Sequence, residues 1–158
     1  MFRTLRRINQ ALDDQTCRRI LQEGRRGVLA LHGDDDYAYA VPLNYSYDET
    51  LKCIYFHGSS EGHKIDAIRR NNRVSFNVLS DPIREEGKWW NAFDSVTVFG
   101  TIEMITDQKE KRKALYAIGR KYFPESEDVD HHVQSSLDHV CMLRLDIRYM
   151  SGKHVKEK

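Results

Sequence analysis

Six consecutive residues, Ser59-Ser60-Glu61-Gly62-His63-Lys64, place two hydroxyls, an imidazole and an ammonium shortly after His57. The amides that open a helix have no intrahelical acceptors. Joined by hydroxyl and ammonium donors, they can satisfy the several acceptor oxygens of a phosphate. Lys64 would supply a point charge, and Arg69 or Arg70 a planar donor fork. The glycine spacing and the lysine-threonine pair of a P-loop are absent. On the residues alone, an ordinary helix cap with surface charges stands beside phosphate binding as the alternative.

A second group is Val41-Pro42-Leu43-Asn44. Proline donates no ladder hydrogen bond, so it belongs at an edge or a bulge, where backbone groups can face the polar rim of a planar heterocycle. Asn44 adds a donor and an acceptor. Taken alone, Pro42 serves more simply to blunt an exposed edge strand.

Other chemistries fare worse. His57, His63, His131, His132 and His139 do not reproduce a zinc spacing, and no cysteine pair accompanies them, so no metal is expected. Ser59 and Ser60 lack a nucleophile elbow. Cys53 and His57 share a strand face, but their separation along it is too great for easy direct proton transfer.

The elements that must position these groups are legible from periodicity and punctuation. A first helix is predicted over 14–23, capped by Asp13, stapled by Leu12 and Cys17 and stopped by Gly24 in a left-handed conformation, with Cys17 on its apolar face. A strand over 26–32 and a hairpin over 37–57 follow, then a short helix over 61–70 and a strand over 73–79. An irregular charged segment carries Trp89 and Trp90, which need shelter from an interface, a cleft or the barrel itself. A long strand covers 93–105, with Gly100 relieving a bend or allowing close backbone approach. Asp107 and Glu110 have capping-box spacing for a helix reaching Tyr122. A polar connection over 125–138 with room for one short turn, a strand over 139–149 and an exposed charged tail over 153–158 complete the chain. Six strands with separated helices predict a mixed barrel in preference to a doubly wound sheet.

Composition bounds the partners. The 158 residues fit one domain, with no repeat or linker, and are 40% hydrophobic and 31% charged. Twenty-five basic against 24 acidic side chains leave a formal charge of +1, which disfavours an extended nucleic-acid surface. The basic arm of Arg3, Arg6 and Arg7 is more simply packed on a subunit surface. Three dispersed cysteines make no disulfide framework, and neither a signal peptide nor a membrane span is present in the sequence, so a cytoplasmic location is expected.

The run VPLNYSYDETLKCIYFHGSSEGHKIDAIRRNNRVSFNV, Val41 to Val78, resembles the pyridoxamine 5'-phosphate oxidase-like FMN-binding split barrels, nearest to their nitroimidazole-resistance branch. DSVTVFGTIEMI, Asp94 to Ile105, continues the resemblance in the expected order, which extends over roughly 12–150. The resemblance implies a mainly β, six-stranded antiparallel split barrel with peripheral helices, acting as a homodimer with two FMN molecules between its subunits. It maps the flavin pyrimidine edge onto Val41, Pro42, Leu43 and Asn44. Phosphate recognition falls to His57, Ser59 and Lys64, aided by Ser60 and His63. Ser95 and Val96 match the family's serine-valine pair beside the cleft, and Trp89 or Trp90 covers the flavin from the opposing subunit. His63 stands where the branch often has arginine, and Asp94 where it often has a basic or polar residue. The long basic tail of a true pyridoxamine 5'-phosphate oxidase is missing, so pyridoxal phosphate synthesis is not implied.

The expected activity is therefore an FMN-dependent oxidoreductase passing electrons from NAD(P)H to a small aromatic acceptor such as a nitroimidazole, with His57 as a candidate proton donor. The alternatives are a flavin-binding protein without turnover, a barrel holding haem or a deazaflavin, and a cofactor-free interaction protein using the basic arm.

Overall fold

The computed structural model describes residues 2–84, 86–123 and 128–157. Its strands are β1 (Ala11–Leu12), β2 (Arg26–His32), β3 (Ala38–Asn44), β4 (Ser46–Asp48), β5 (Cys53–Gly58), β6 (Arg73–Leu79), β7 (Ile83–Arg84), β8 (Asn91–Met104) and β9 (Cys141–Lys156). Its helices are α1 (Asp14–Glu23), α2 (His63–Arg70), α3 (Gln108–Tyr122) and α4 (Val129–Ser136). The six predicted strands are all present. Two-residue β1 and β7 and a break of the second predicted strand at Tyr45 bring the described strands to nine.

All pairings are antiparallel, and the main path runs β3-β2-β6-β8-β9-β5-β4. β3 and β4 therefore lie at opposite ends of the path, yet only Tyr45 separates them in the chain. One residue spans about 3.8 Å, so the sheet must curl until its ends approach, which produces the split barrel. Tyr45 is fully buried and locks this seam. Its hydroxyl donates to the Leu21 carbonyl at 2.8 Å, and its ring meets Phe76 edge-on at 5.0 Å. Its amide donates to the Tyr122 hydroxyl at 2.9 Å. That hydroxyl sends its single proton toward the Tyr45 or the Arg25 carbonyl, both within reach. The backbone groups released where β3 becomes β4 are thus satisfied by a side chain from α3.

Alternation on β5 divides two cores. Ile54 and Phe56 point into the barrel with Leu29, Phe76 and Val98, whereas Cys53 and Tyr55 point outward to Leu115 and Ile118 of α3 and Val133 of α4. His57 shares the outward parity, which aims it at the α3–α4 side. Cys17 is a core residue, with its thiol pushed up to about 11 chiefly by burial, so it has no nucleophilic role.

Several local expectations change. Asp13 caps α1 through Thr16 N–H at 2.7 Å, but Gly24 is extended, not left-handed. It is needed for proximity: an added Cβ would stand 2.6 Å from the Tyr45 hydroxyl oxygen. Asp107 accepts from Glu110 N–H at 2.7 Å, while Glu110 turns to Arg144 at 2.8 Å, so the capping box is one-sided. The predicted polar connection contains α4 over its described part, because Val133 and Leu137 bury against α3; residues 125–127 lie outside the described residues. The predicted tail is instead the end of β9, with Val155 paired to Phe93. No described helix is long and apolar enough to cross a membrane.

One cost is visible at the seam. The Lys121 ammonium is buried without a hydrogen-bond acceptor among the described residues, 4.1 Å over the Tyr45 ring, and burial, then the Arg25 charge, lowers it to about 8. The folded chain therefore releases this proton near pH 8, while the unfolded chain holds it to about 10.4. Stability is expected to rise as pH increases from 8 to 9.5, by about 1–2 kcal/mol from this group. Urea denaturation across that range checks it: Lys121→Met should remove the rise and be at least as stable at pH 7.

Candidate functional site

The two sequence-derived clusters lie on either side of the seam, on the barrel's outer surface. β3 is the edge that Pro42 requires, and its register against β2 runs without a bulge, Pro42 opposite Val28. Tyr39, Val41 and Leu43 pack toward the core, leaving Pro42 and Asn44 on the outer side. Asn44 and His57 both line a cavity of about 300 Å³ closed by α3 and α4. Its apolar wall is Leu115, Ile118, Val133 and Val140, with Tyr122 and Phe123 as aromatic surfaces.

β5 ends at Gly58, opposite Cys141 at the start of β9, and the chain turns through Ser59 and Ser60 into α2. Gly62, at φ +102°, permits the turn, and no side chain caps the helix among the described residues. Its first bonds run from Ile65 and Asp66 N–H to the Gly62 carbonyl. Ser59 Oγ accepts from Glu61 N–H at 3.3 Å.

The charges around this turn are unequal in their freedom. Asp34 takes Arg70 at 2.7 Å and His63 at 3.5 Å, and His63 stacks on Tyr39 with centroids 4.0 Å apart. Arg69 meets Asp66 at 3.5 Å. Lys64 has no carboxylate within ion-pair range among the described residues. It is half-buried, and its ammonium lies so close to Gly58 that an added Cβ there would stand 2.7 Å from Nζ. Burial lowers the Lys64 ammonium and, with help from its charge, the His57 imidazole. His57 is exposed by surface area but recessed in the cavity wall, so desolvation acts on it first. The positive charges of Lys111, Lys64 and Arg69 favour the Cys141 thiolate, but burial acts more strongly and pushes the thiol up. An ammonium withdrawn from water without a counter-charge, beside uncapped helix amides, fits a phosphate.

The remaining sequence candidates are elsewhere in the chain. Ser95 pairs with Leu79 and Lys153, and Val96 is fully buried in the barrel, so only its backbone could serve a ligand. Trp89 is 87% exposed, and Trp90 lies under the Lys156 ammonium at 5.5 Å. Lys153 and Lys156 close β9, whereas Cys141, beside the Lys64 turn, opens it. One chain therefore brings together Asn44, His57, Ser59, Ser60 and Lys64, but not the Trp89–Val96 group. Tyr122, Phe123 and His132 join the site without warning from sequence, since nothing local ties a helix end to a distant strand. The described residues hold no group of three or more His, Cys, Asp or Glu able to bind a metal ion.

Comparison with known proteins agrees with this architecture. A protein of Bacteroides thetaiotaomicron, provisionally described as a 5-nitroimidazole antibiotic resistance protein, superposes with a TM-score of 0.77 at 24% identity, over 92% of this chain and 87% of that one. An FAD-binding protein of Mesorhizobium loti gives 0.67 at 26% identity, over 92% and 97%. An FAD and haem binding protein of Mycobacterium smegmatis gives 0.73 at 20% identity, over 94% and 74%. No curated protein matches the chain. Residues 13–154 match the family model described as pyridoxamine 5'-phosphate oxidase, and the chain belongs to that family.

Proposed function

We propose that the protein binds FMN and uses it to pass electrons from NAD(P)H to a small aromatic acceptor, as a homodimer with its cofactor sites between subunits. The observation that carries this is Lys64, a half-buried cation with no carboxylate partner among the described residues, set beside the uncapped start of α2 and the cavity of Asn44 and His57. When bound, the flavin supplies reversible two-electron chemistry.

The residues divide the work of holding and orienting it. Lys64, the Ser59 and Ser60 hydroxyls and the first-turn amides of α2 hold the phosphate. The β3 edge and the Asn44 amide orient the heterocycle. His57, kept neutral by burial and Lys64, has both a donor and an acceptor nitrogen and can hand over a proton at the cavity wall. Ser95, Trp89 and Trp90 reach the site from a second copy. The outer face of Ala40, Pro42 and Val28, the last 42% exposed, offers that copy an apolar surface.

FAD is the second reading, favoured by the Mesorhizobium relative's binding of it. It contains the same flavin phosphate unit, so the same cradle would serve. The absorbance spectrum of the purified protein, followed by mass analysis of what denaturation releases, tests both. Flavin bands with FMN mass are expected, and FAD mass selects the second reading. A colourless protein that leaves added FMN fluorescence unchanged would overturn the proposal. NAD(P)H oxidation with and without an aromatic acceptor then separates turnover from storage.

A further inference from the structure

The outer face of β2, β6 and β8 holds an open cavity of about 750 Å³. Neither the Ser59–Lys64 turn nor the cavity of Asn44 and His57 contributes to its wall, so it stands apart from the flavin reading. We propose that it binds a mononucleotide unit, with Arg73 and Arg148 taking the phosphate and the rings of Phe2, Phe99 and Tyr37 receiving the base.

Register explains why a sheet face is hollow here. Ala30 of β2 pairs with Ser75 of β6, Ser75 with Phe99 of β8, and Phe99 with Tyr149 of β9. The row begins with two small side chains and ends in two rings. Gly100, next on β8, adds no side chain, and the bulge beside it makes Arg148 the extra residue of β9. Bulges re-aim side chains, and Arg148 lines the cavity from that strand. Arg73 enters from β6, where it pairs with Thr101.

The wall supplies both chemistries that a nucleotide needs. Phe2 stacks on Tyr149 with centroids 4.9 Å apart and planes 7° apart, and it stands 5.7 Å from Phe99, so this ring cluster is held on the sheet. Tyr37, after the turn that follows β2, is 77% exposed. A base stacks on such rings whatever its identity. Arg69, Arg70 and Arg144 each meet a carboxylate. Arg73 and Arg148 have none within ion-pair range among the described residues, which leaves two planar donor forks for phosphate oxygens. Asp36 is the one carboxylate lining the cavity among the described residues. It follows β2, three strand spacings from β9, or about 14 Å along the sheet. There it accepts from sugar hydroxyls or an amino group without opposing a phosphate held at Arg148. A bare phosphate or a bare ring uses only part of this wall. A mononucleotide, free or as one half of a dinucleotide, uses all of it.

Calorimetric titration of AMP into the protein as purified, with its flavin content recorded, tests the proposal. Saturable one-to-one binding is expected, with adenosine and inorganic phosphate each at least about tenfold weaker. Arg73→Gln and Arg148→Gln should each weaken AMP by about tenfold or more and leave flavin content unchanged. Ala30→Phe, which fills the floor and keeps both arginines, should cause the same loss. If it fails to fold, the two arginine variants decide, because both positions are exposed. NADH titrated in parallel identifies the source. Binding tighter than AMP and weakened by the same variants assigns the site to half of a dinucleotide, and anything weaker assigns it to a free mononucleotide. Absence of saturable AMP binding would overturn the proposal, and is the result expected if a second copy of the chain covers this face. Undiminished binding in both arginine variants, or adenosine or phosphate binding as tightly as AMP, would overturn it as well. So would loss of flavin from the arginine variants, or displacement of AMP by stoichiometric FMN, since either makes the cavity the cofactor's own. A colourless protein with the expected AMP profile supports the nucleotide site while refuting the flavin reading.

Discussion

Lys64→Ala is expected to weaken FMN binding by about ten- to a hundredfold while leaving the fold intact. A hydrogen bond to a charged group contributes about 1.5–3 kcal/mol, and each 1.4 kcal/mol is tenfold in affinity. Lys64 should sit at the upper end, because its ammonium is already partly dehydrated and no neighbouring carboxylate competes for it among the described residues. The same facts predict little cost to folding. Removing a half-buried cation without a carboxylate partner relieves desolvation and breaks no ion pair. Lys64→Glu should abolish binding at micromolar protein, since it turns the cradle's charge against the phosphate. Lys64→Arg should recover only part of the affinity: Nζ lies against Gly58, leaving little room for a planar guanidinium. Flavin fluorescence titration beside thermal melts reads both quantities. Unchanged affinity in Lys64→Ala would remove Lys64 from the site, and a melting point collapsing with affinity would make its role structural.

The largest expected loss of stability is at Gly100. Pairing between β8 and β9 shifts here, from Phe99 opposite Tyr149 to Gly100 opposite Ile147, so Arg148 is the extra residue of a bulge. The bend drives the Gly100 α-carbon against the neighbouring strand. An added Cβ would stand 2.0 Å from the Asp146 carbonyl oxygen and 2.9 Å from a Leu145 methyl. The first obstacle is backbone, which no rotamer change can move. Gly100→Ala must therefore displace the longest strand pair in the barrel. An expected loss of about 3 kcal/mol or more follows, at the high end of overpacking effects. For a chain of this size, that corresponds to a melting point lower by about 6–12 °C. Gly87→Ala is the control, since Gly87 has φ +73° but nothing within 4 Å of its added Cβ among the described residues. It should lose about 1 kcal/mol, from backbone strain alone. Urea denaturation of both variants checks the contrast, and a Gly100→Ala loss below about 0.5 kcal/mol would refute the close-approach argument.

Gly100 also shows how far a sequence can be read. An isolated glycine in a long strand announces a bend or a close approach, but the atom it must avoid belongs to Asp146, forty-six positions away. Pro42 behaves similarly. The missing donor identifies an edge, and β3 is one, yet which neighbour leaves that edge open is a property of the whole sheet. Caps are read more reliably because their partners are close in sequence: Asp13 and Asp107 each accept from an amide three positions on. Gly24 misleads because a residue after a helix can be glycine for reasons of space as well as of φ. The α4 helix is hard to read because its apolar residues, Val133 and Leu137, are sparse, and only packing on α3 extends a short turn into a helix. The end of β9 is equally hidden, because charged residues at a sheet margin look like a solvated tail until β8 supplies their backbone partners.

By itself, then, the sequence determined the strand-rich class, the two long capped helices and the donor-rich turn at Ser59–Lys64, since each depends on interactions within a few residues. It also carried the family, through two ordered blocks. Only the tertiary structure decided which of that turn's cations is left without a carboxylate, that His57 faces α3 and α4, and that Tyr122 closes the seam behind Asn44. Those outcomes depend on the curl that brings together β3 and β4, the opposite ends of one sheet path. Side chains separated by many residues acquire a shared environment only when that barrel closes, and no local propensity or spacing encodes it.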